Sequence, residues 1–281
     1  IPGLEIEGVG TEILPPTKSL AYILPEKFSF TQIKAFETCP LQYKFQHILH
    51  LPVQGRPSFS FGQSIHSTLQ KFFTLVMERA GKRQIDLFGG VAEKKPEVGA
   101  DELLRLYDES WIDDWYADKN QKREYFEKGK KGLLAYYNTI KENLPVPMYL
   151  EKGFNLKIGK YTFTGKIDRV DQLPDGTIEI IDYKTGKGKE ENKVDKDQLL
   201  IYQLAAINPQ ILDKKVSKLS YLYIEDGNKV SFLGEDQDLA KLEEKVIGTI
   251  DQIGQSVFAA TPNEFRCKFC DFKDICEYRI L

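Results

Sequence analysis

Two β-rich segments joined by a tight turn constrain the fold of this chain more than any other feature of its sequence. Residues 160–170 and 178–183 contain alternating and β-branched residues, a pattern typical of strands. Between them, residues 173–177 (LPDGT) have the composition of a turn, because proline fixes φ and glycine accepts a positive φ. We therefore predict that the two strands are antiparallel neighbours in one sheet.

Helical patterns lie on both sides of this hairpin. Ser29 and Gln32 fit a capping box at the start of a helix that Pro40 ends. Further helices are predicted for residues 41–50, from 62 onward, 101–117, 123–142, 196–207 and 239–257, and further strands for residues 149–158 and 218–225. The segments together indicate a domain of the α/β class.

The chain is predicted to consist of an arm and one domain that carries an insertion. Residues 1–27 contain glycine and proline and are weakly periodic, so they are predicted to form a linker or an extended arm. Residues 28–281 are predicted to form one domain, in which residues 67–147 are a helical insertion and residues 82–100 a polar loop. Because the sequence begins with Ile1 rather than methionine, we expect a fragment or a processed product.

Composition excludes some classes of protein and leaves others open. The 281 residues suffice for a sizeable core, and no apolar run approaches the roughly 18 residues that span a bilayer. No signal peptide is evident, so we expect a cytoplasmic protein without a membrane partner. The net charge of −3 gives no overall basic signal for nucleic acid. Local lysine runs remain as candidate contacts, although such runs are more often solvated surface: Lys128, Lys130, Lys131, Lys184, Lys187, Lys189, Lys193 and Lys196.

The hairpin strands carry two carboxylates and an amine that can meet. Asp182 and Lys184 point to the same face at the end of one strand, and the turn can bring Asp168 beside Asp182. Two carboxylates placed close together repel each other, and this arrangement is unfavourable unless a divalent cation such as Mg²⁺ binds between them. Lys184 can then orient the attacking water and offset charge on a phosphate. The alternative is an exposed pair of carboxylates with a salt-bridging lysine, and the glycine before Asp168 and the Thr-Gly after Lys184 favour the catalytic interpretation.

Three further polar residues occupy suggestive positions. His66 is predicted in the first turn of its helix, where a histidine is usually a packed or capping residue and less often a metal ligand. Gln198 and Tyr202 are four residues apart on a predicted helix and so share one face. By themselves the two are compatible with an ordinary helix surface.

The four cysteines indicate metal binding in a reducing compartment rather than a disulfide framework. Cys39 stands alone, and Cys267, Cys270 and Cys276 cluster near the end of the sequence. A disulfide-dependent secreted domain would be shorter and richer in cysteine. Thiolates bind either a [4Fe–4S] cluster or tetrahedral zinc, and the spacing leaves both open.

Taken together, these motifs resemble the RecB-type branch of the PD-(D/E)XK nucleases. The matching segments are residues 165–171 (GKIDRVD), 182–186 (DYKTG) and 198–202 (QLLIY), with the upstream His66. The resemblance implies a restriction-endonuclease-like mixed sheet flanked by helices, and Mg²⁺- or Mn²⁺-dependent hydrolysis of phosphodiester bonds. It assigns the metal to His66, Asp168, Asp182 and the carbonyl of Tyr183, catalysis to Asp168, Asp182 and Lys184, and accessory roles to Gln198 and Tyr202. Glu151 falls where some members carry a further acidic residue.

The cysteines resemble those of the iron–sulfur subgroup, which includes AddB-type helicase–nucleases and CRISPR-adaptation nucleases. This resemblance favours a [4Fe–4S] cluster over zinc, held by Cys39, Cys267, Cys270 and Cys276, which would join the two ends of the domain as a staple. The expected function is a DNA exonuclease acting on single strands or duplex ends, as the C-terminal domain of a helicase–nuclease in repair or recombination. No Walker A motif is present, so a helicase would be a separate domain or subunit. The alternatives are a stand-alone nuclease of the CRISPR-adaptation type, an inactive DNA-binding module of the same fold, or a zinc-binding interaction domain.

Overall fold

The structure is a computed structural model that describes residues 22–53, 55–81, 84–85, 91–92 and 97–280. Of the arm predicted for residues 1–27, only residues 22–27 belong to this part of the chain. Most of the loop predicted for residues 82–100 also lies outside the described residues. No helix in the described ranges is long and apolar enough to cross a bilayer.

The strands form one mixed sheet and a small separate ribbon. In chain order they are β1 (Lys27–Phe28), β2 (Gln84–Ile85), β3 (Val91–Ala92), β4 (Tyr149–Ile158), β5 (Tyr161–Gln172), β6 (Ile178–Lys184), β7 (Val216–Tyr223) and β8 (Lys229–Phe232). β2 and β3 form the ribbon, and the other six strands form the sheet. β5 and β6 are antiparallel, as the turn sequence predicted, whereas β6 and β7 are parallel and are connected through a helix.

The helices are α1 (Phe30–Thr38), α2 (Pro40–Tyr43), α3 (Pro57–Gly81), α4 (Ala100–Ser110), α5 (Lys119–Ile140), α6 (Asp197–Ile207), α7 (Asp236–Gln255) and α8 (Glu264–Lys268). α2 continues into a π-helical turn, Lys44–Ile48, and short 3₁₀ turns occur at Lys141–Asn143 and Glu191–Lys193. The capping box of α1 is present, with Ser29 and Gln32 in the predicted roles. β1, β8 and α8 are too short to have been detected by periodicity.

Helices cover both faces of the sheet, which confirms the predicted mixed sheet flanked by helices. Residues of α1, α6 and α7 form one hydrophobic core with the sheet, and residues of α3, α4 and α5 form a second core. β6 contributes to both, because Ile178 and Ile180 lie in the first core and Ile181 and Tyr183 in the second. A strand buried on both faces is expected to be almost continuously apolar, and β6 departs from this at the buried carboxylates Glu179 and Asp182 and at Lys184 at its end.

β5 and β6 separate at the predicted site, and the point where they separate is called the fork below. One edge of β5 is paired with β4 along its length. The other edge pairs with β1 at residues 162–163 and with β6 at residues 169–172. Within the described part of the chain, residues 164–168 therefore have no strand partner on that edge, and Asp168 lies at the point where β5 and β6 separate.

The largest differences from the predicted helix boundaries are at the start of α3 and the end of α4. α3 begins at Pro57 rather than at Gly62, because proline is favoured in the first turn of a helix. The apolar pattern did not reveal this first turn, since Phe59 in it is exposed and does not belong to the buried face. His66 is thus in the third turn of α3 and not in the first. α4 ends at Ser110, and residues 111–118 form a loop whose Asp118 caps α5 by accepting hydrogen bonds from two backbone N–H groups.

Candidate active site

Asp168, His66 and the backbone of Tyr183 meet at the fork. Asp168 Oδ2 accepts a hydrogen bond of 2.9 Å from the backbone N–H of Tyr183 and lies 3.3 Å from His66 Nδ1. The other ring nitrogen of His66 lies 3.1 Å from the carbonyl oxygen of Tyr183. The fork makes this possible, because the N–H and the carbonyl of Tyr183 face Asp168 and His66 where a strand partner would otherwise stand.

Glu151 completes a group of potential metal ligands with His66 and Asp168. One ligand atom from each of the three residues lies within 4.8 Å of the others. In the β4–β5 register Leu150 pairs with Arg169 and Lys152 with Ile167, so Glu151 lies opposite Asp168. Glu151 has a φ of 49°, in the left-handed region where the backbone of a non-glycine residue is strained. The sequence indicated Glu151 only through the family resemblance, and the β4–β5 register places it opposite Asp168.

The second carboxylate, Asp182, belongs to a neighbouring hydrogen-bonded group on the α6 side of the sheet. Gln198 Nε2 donates to Asp182 Oδ1 at 2.9 Å and to the hydroxyl of Tyr202 at 2.8 Å. Lys184 Nζ donates to Gln198 Oε1 at 3.0 Å and lies 2.6 Å from Asp182 Oδ2. Gln198 therefore fixes the carboxylate and the ammonium relative to each other.

Electrostatics in the site favour a cation beside the carboxylates. Burial and the nearby charge of Asp168 raise the pKa of Asp182 to about 6, against the opposing effect of Lys184. Burial acts to lower the pKa of His66, but its contact with Asp168 prevails and raises it. Buried carboxylates of like charge that resist ionisation are stabilised when a divalent cation binds between them.

The donor set fits a divalent metal. His66, Glu151 and Asp168 offer one imidazole and two carboxylates, and the carbonyl of Tyr183 adds an oxygen on the same side of the fork. Asp182 lies outside the group within 4.8 Å, but it is close enough for the Asp168 charge to affect its pKa. Carboxylate and carbonyl oxygens are the ligands that Mg²⁺ and Mn²⁺ prefer.

A buried arginine next to Asp168 joins the strand at the fork to neighbouring helices. Arg169 is 2% exposed, forms a bidentate ion pair with Asp171, and donates to the hydroxyl of Tyr136 at 2.8 Å. Its guanidinium lies 4.1 Å from the ring centroid of Phe73 in α3. This residue thereby connects β5, immediately after Asp168, to the helix that carries His66.

The four cysteines line one cavity between α1–α2 and the C-terminal segment, although Cys39 and Cys267 are far apart in sequence. Each is a free thiol. Within the described residues, no three of their sulfur atoms lie within 4.8 Å of one another. Arg56, which precedes α3, forms an ion pair of 2.5 Å with Asp271, so the C-terminal segment that carries three of the cysteines contacts the residues before α3.

Comparison of the sequence with known families identifies its relatives. Residues 27–277 match the PD-(D/E)XK nuclease superfamily, over most of the chain. The chain belongs to this superfamily. Members use divalent metals, and the acidic group at the fork is a candidate metal site in this chain. The resemblance inferred from the motifs is confirmed at the level of the superfamily, and the RecB/AddB branch stays a prediction.

Comparison with solved structures found matches at low sequence identity. A candidate exonuclease from Eubacterium rectale is 12% identical, with a TM-score of 0.50 over 91% of this chain and 89% of that protein. The protein SSO0001 is 16% identical, with a TM-score of 0.34 over 89% of this chain and 98% of that protein. No curated protein matches the sequence.

Proposed function

We propose that this chain is a metal-dependent DNA nuclease that hydrolyses phosphodiester bonds, acting as an exonuclease. The observation that carries the proposal is the convergence at the β5–β6 fork of Asp168, Asp182 and Lys184, with His66 and Glu151 beside them. His66, Glu151 and Asp168 line one open cleft, and Lys184 and Gln198 line another. The superfamily match supports nuclease chemistry, and the candidate exonuclease of similar fold favours the exonucleolytic mode.

Most residues of the site act in this proposal either as metal ligands or as positioning residues. Asp168, Asp182, His66 and the carbonyl of Tyr183 would hold Mg²⁺ or Mn²⁺, and Glu151 is an additional ligand. A divalent ion at this position would supply Lewis acidity toward the phosphate and lower the pKa of a bound water. Gln198 positions Asp182 and Lys184, and Tyr202 orients the amide of Gln198 through its hydroxyl.

Lys184 is the candidate catalytic cation. Its ammonium is held by Asp182 and Gln198 and lies 4.8 Å from the ring centroid of Tyr221. A fixed ammonium beside the scissile phosphate orients the attacking water and stabilises the negative charge that develops on the phosphate oxygens. It does so without reorganisation, since its partners are already in place.

We further propose that the four cysteines hold a [4Fe–4S] cluster, with zinc as the alternative. Their common cavity supports a single bound group. The resemblance of the cysteine pattern to that of the iron–sulfur subgroup favours the cluster over zinc. A cluster here would tie α1–α2 to the C-terminal segment and restrain the long intervening loop.

The biological context that we favour is the nuclease domain of a RecB/AddB-like helicase–nuclease, acting on single-stranded DNA or duplex ends. A stand-alone iron–sulfur nuclease of the CRISPR-adaptation type has the same chemistry without a helicase. An inactive DNA-binding module is disfavoured, because His66, Asp168, Asp182 and Lys184 are all brought to the fork.

A cleavage assay tests the activity. End-labelled linear DNA and circular single-stranded DNA are incubated with Mg²⁺, Mn²⁺ or excess EDTA. We expect degradation of the linear substrate with either metal, none with EDTA, and an intact circle. Asp182→Ala should be inactive, whereas Asp175→Ala, in the exposed hairpin turn, should be active. Cleavage of the linear DNA in EDTA would refute the metal dependence, and cleavage of the circle would refute the exonuclease assignment.

A further inference from the structure

Two exposed aromatic side chains lie together near the start of α3, and one of them, Phe59, lines the cleft that contains the acidic group. Phe59 and Trp115 are 60% and 47% exposed, and their ring centroids lie 5.6 Å apart at an interplanar angle of 48°. Large aromatic side chains are rarely left this exposed side by side. Tilted rings do not cover each other face to face, so the pair presents aromatic surface to solvent.

Phe59 connects the pair to the candidate active site. Phe59 lines the same cleft as His66, Glu151 and Asp168. Phe59 precedes His66 by seven residues in α3, so the two share one helix face about 10 Å apart along the axis. Between them is Gly62, where an added Cβ would meet nothing closer than Thr185 Oγ1 at 3.8 Å. The absence of a side chain at Gly62 leaves the cleft open from the aromatic pair to the carboxylates.

Trp115 is held in place rather than loosely exposed. Its φ is 68°, which is uncommon for a bulky residue, and such strain persists where the surroundings impose it. Ser60 Oγ in α3 donates to the carbonyl of Asp114 at 2.8 Å, and the backbone N–H of Ile112 donates to Ser64 Oγ at 2.9 Å. These two hydrogen bonds fix the loop of residues 111–118 against α3.

The packing around Trp115 points to the same conclusion. The indole lies against the backbone of Gly55, where an added Cβ would overlap the ring. Next to it, Asp113 pairs with Lys122 at 2.7 Å, which reduces the repulsion that this carboxylate would exert on a polyanion. An exposed indole that is fixed by its backbone is suited to binding a flat ligand at small entropic cost.

We propose that Phe59 and Trp115 form a stacking platform for unpaired nucleobases, so that the substrate at the active site is single-stranded DNA. The inference rests on the proposed nuclease function and adds the class of substrate. Aromatic side chains beside a backbone-binding groove bind single strands by base stacking without regard to sequence. Lys166, on the opposite wall of the cleft, is suited to contact the phosphates of the same strand. A base inside a duplex has no free face for this platform.

The platform is tested by binding, which does not depend on cleavage. Fluorescein-labelled oligo-dT of 20 nucleotides and a blunt duplex of equal length are titrated with protein in EDTA, and anisotropy gives Kd. Losing one stacked base weakens binding on the order of tenfold, so Trp115→Leu and Phe59→Leu should each raise the Kd for oligo-dT by about that factor. Trp115→Phe keeps an aromatic ring and should bind close to wild type. Leu233→Ala, at a position that is also 47% exposed, is the matched control.

The outcomes separate this inference from the proposed function. An unchanged Kd for oligo-dT in both leucine variants, with folding verified by circular dichroism, would overturn the platform and leave a protein partner as the occupant. An equal loss for duplex and oligo-dT would overturn the single-strand preference. Hydrolysis of bis(p-nitrophenyl) phosphate, a diester without bases, tests the nuclease chemistry separately through wild type and Asp182→Ala. If wild type hydrolyses the ester but the platform variants bind oligo-dT normally, the platform alone is wrong.

Discussion

Asp168 accepts a hydrogen bond from the backbone N–H of Tyr183, at 2.9 Å, across the point where β5 and β6 separate. In an uninterrupted sheet this N–H would bond to a neighbouring strand. At the fork a carboxylate takes the place of the strand. One residue thus closes the sheet and also supplies an acidic group to the cleft, so its structural and chemical roles can be separated by mutation.

Asp168→Asn and Asp168→Ala should therefore differ in stability but not in activity. Asparagine keeps an oxygen that can accept from Tyr183, whereas alanine leaves a buried N–H unpaired, which costs roughly 1–3 kcal/mol. Both variants lose the charge that metal binding needs, so DNA cleavage should be abolished in each. Urea unfolding and a cleavage assay measure the two effects. Equal stability of the two variants would show that the hydrogen bond contributes nothing.

Removal of Lys184 should affect the rate far more than binding. Its ammonium is expected to act mainly on charge that develops in the transition state, so Lys184→Ala should lower kcat by on the order of a hundredfold with a small change in Kd. Lys187→Ala, in the neighbouring loop, is the control and should weaken binding without lowering kcat. Single-turnover kinetics and anisotropy distinguish the two. If Lys184→Ala binds weakly but cuts bound DNA at the normal rate, Lys184 is a phosphate contact.

Because the four cysteines line one cavity, we expect substitutions of cysteines that are distant in sequence to have equal effects. If one cluster is bound, protein purified without oxygen should be brown and contain about four irons per chain. Cys39→Ser and Cys270→Ser should lose the colour and lower Tm to a similar extent, since each removes a ligand that joins the two ends. Metal analysis and differential scanning calorimetry check this. One zinc per colourless chain would replace the cluster by zinc, and a normal iron content in Cys39→Ser would exclude Cys39 as a ligand.

Glu179 should make stability depend on pH at acidic values. This buried carboxylate pairs with Lys229 at 2.6 Å and also contacts Ser220, and these contacts outweigh burial and lower its pKa. Because the pKa is lower in the folded state, the stabilisation is complete above the ordinary carboxyl pKa and disappears as pH falls through the lowered one.

Glu179→Gln should accordingly destabilise the protein by roughly 1–2 kcal/mol at pH 7 and by progressively less below about pH 4. Urea unfolding as a function of pH measures this difference. Glu190→Gln, which removes an exposed pair with Lys193, should have little effect at any pH. A constant difference between wild type and Glu179→Gln down to pH 3 would contradict the assigned pKa shift.

Local sequence signals were sufficient for much of the scaffold. The Ser29–Gln32 capping box predicted the start of α1, and strand periodicity predicted β4 at residues 149–158 and the antiparallel β5–β6 hairpin. These elements are set by contacts within a few residues. The start of α5 was missed although Asp118 is a good capping residue, because the preceding loop contains enough apolar residues to imitate a helix.

The sequence by itself determined that Asp182 and Lys184 share a strand face and that Gln198 and Tyr202 share a helix face, because both follow from backbone periodicity. Only the tertiary structure decided that the two pairs meet, that Glu151 lies opposite Asp168, and that β5 forks there. It also decided the position of Phe59 and Trp115, which depends on how a loop packs on α3. Such contacts join segments far apart in the chain, and their geometry is set by packing and strand register, which short-range patterns do not specify.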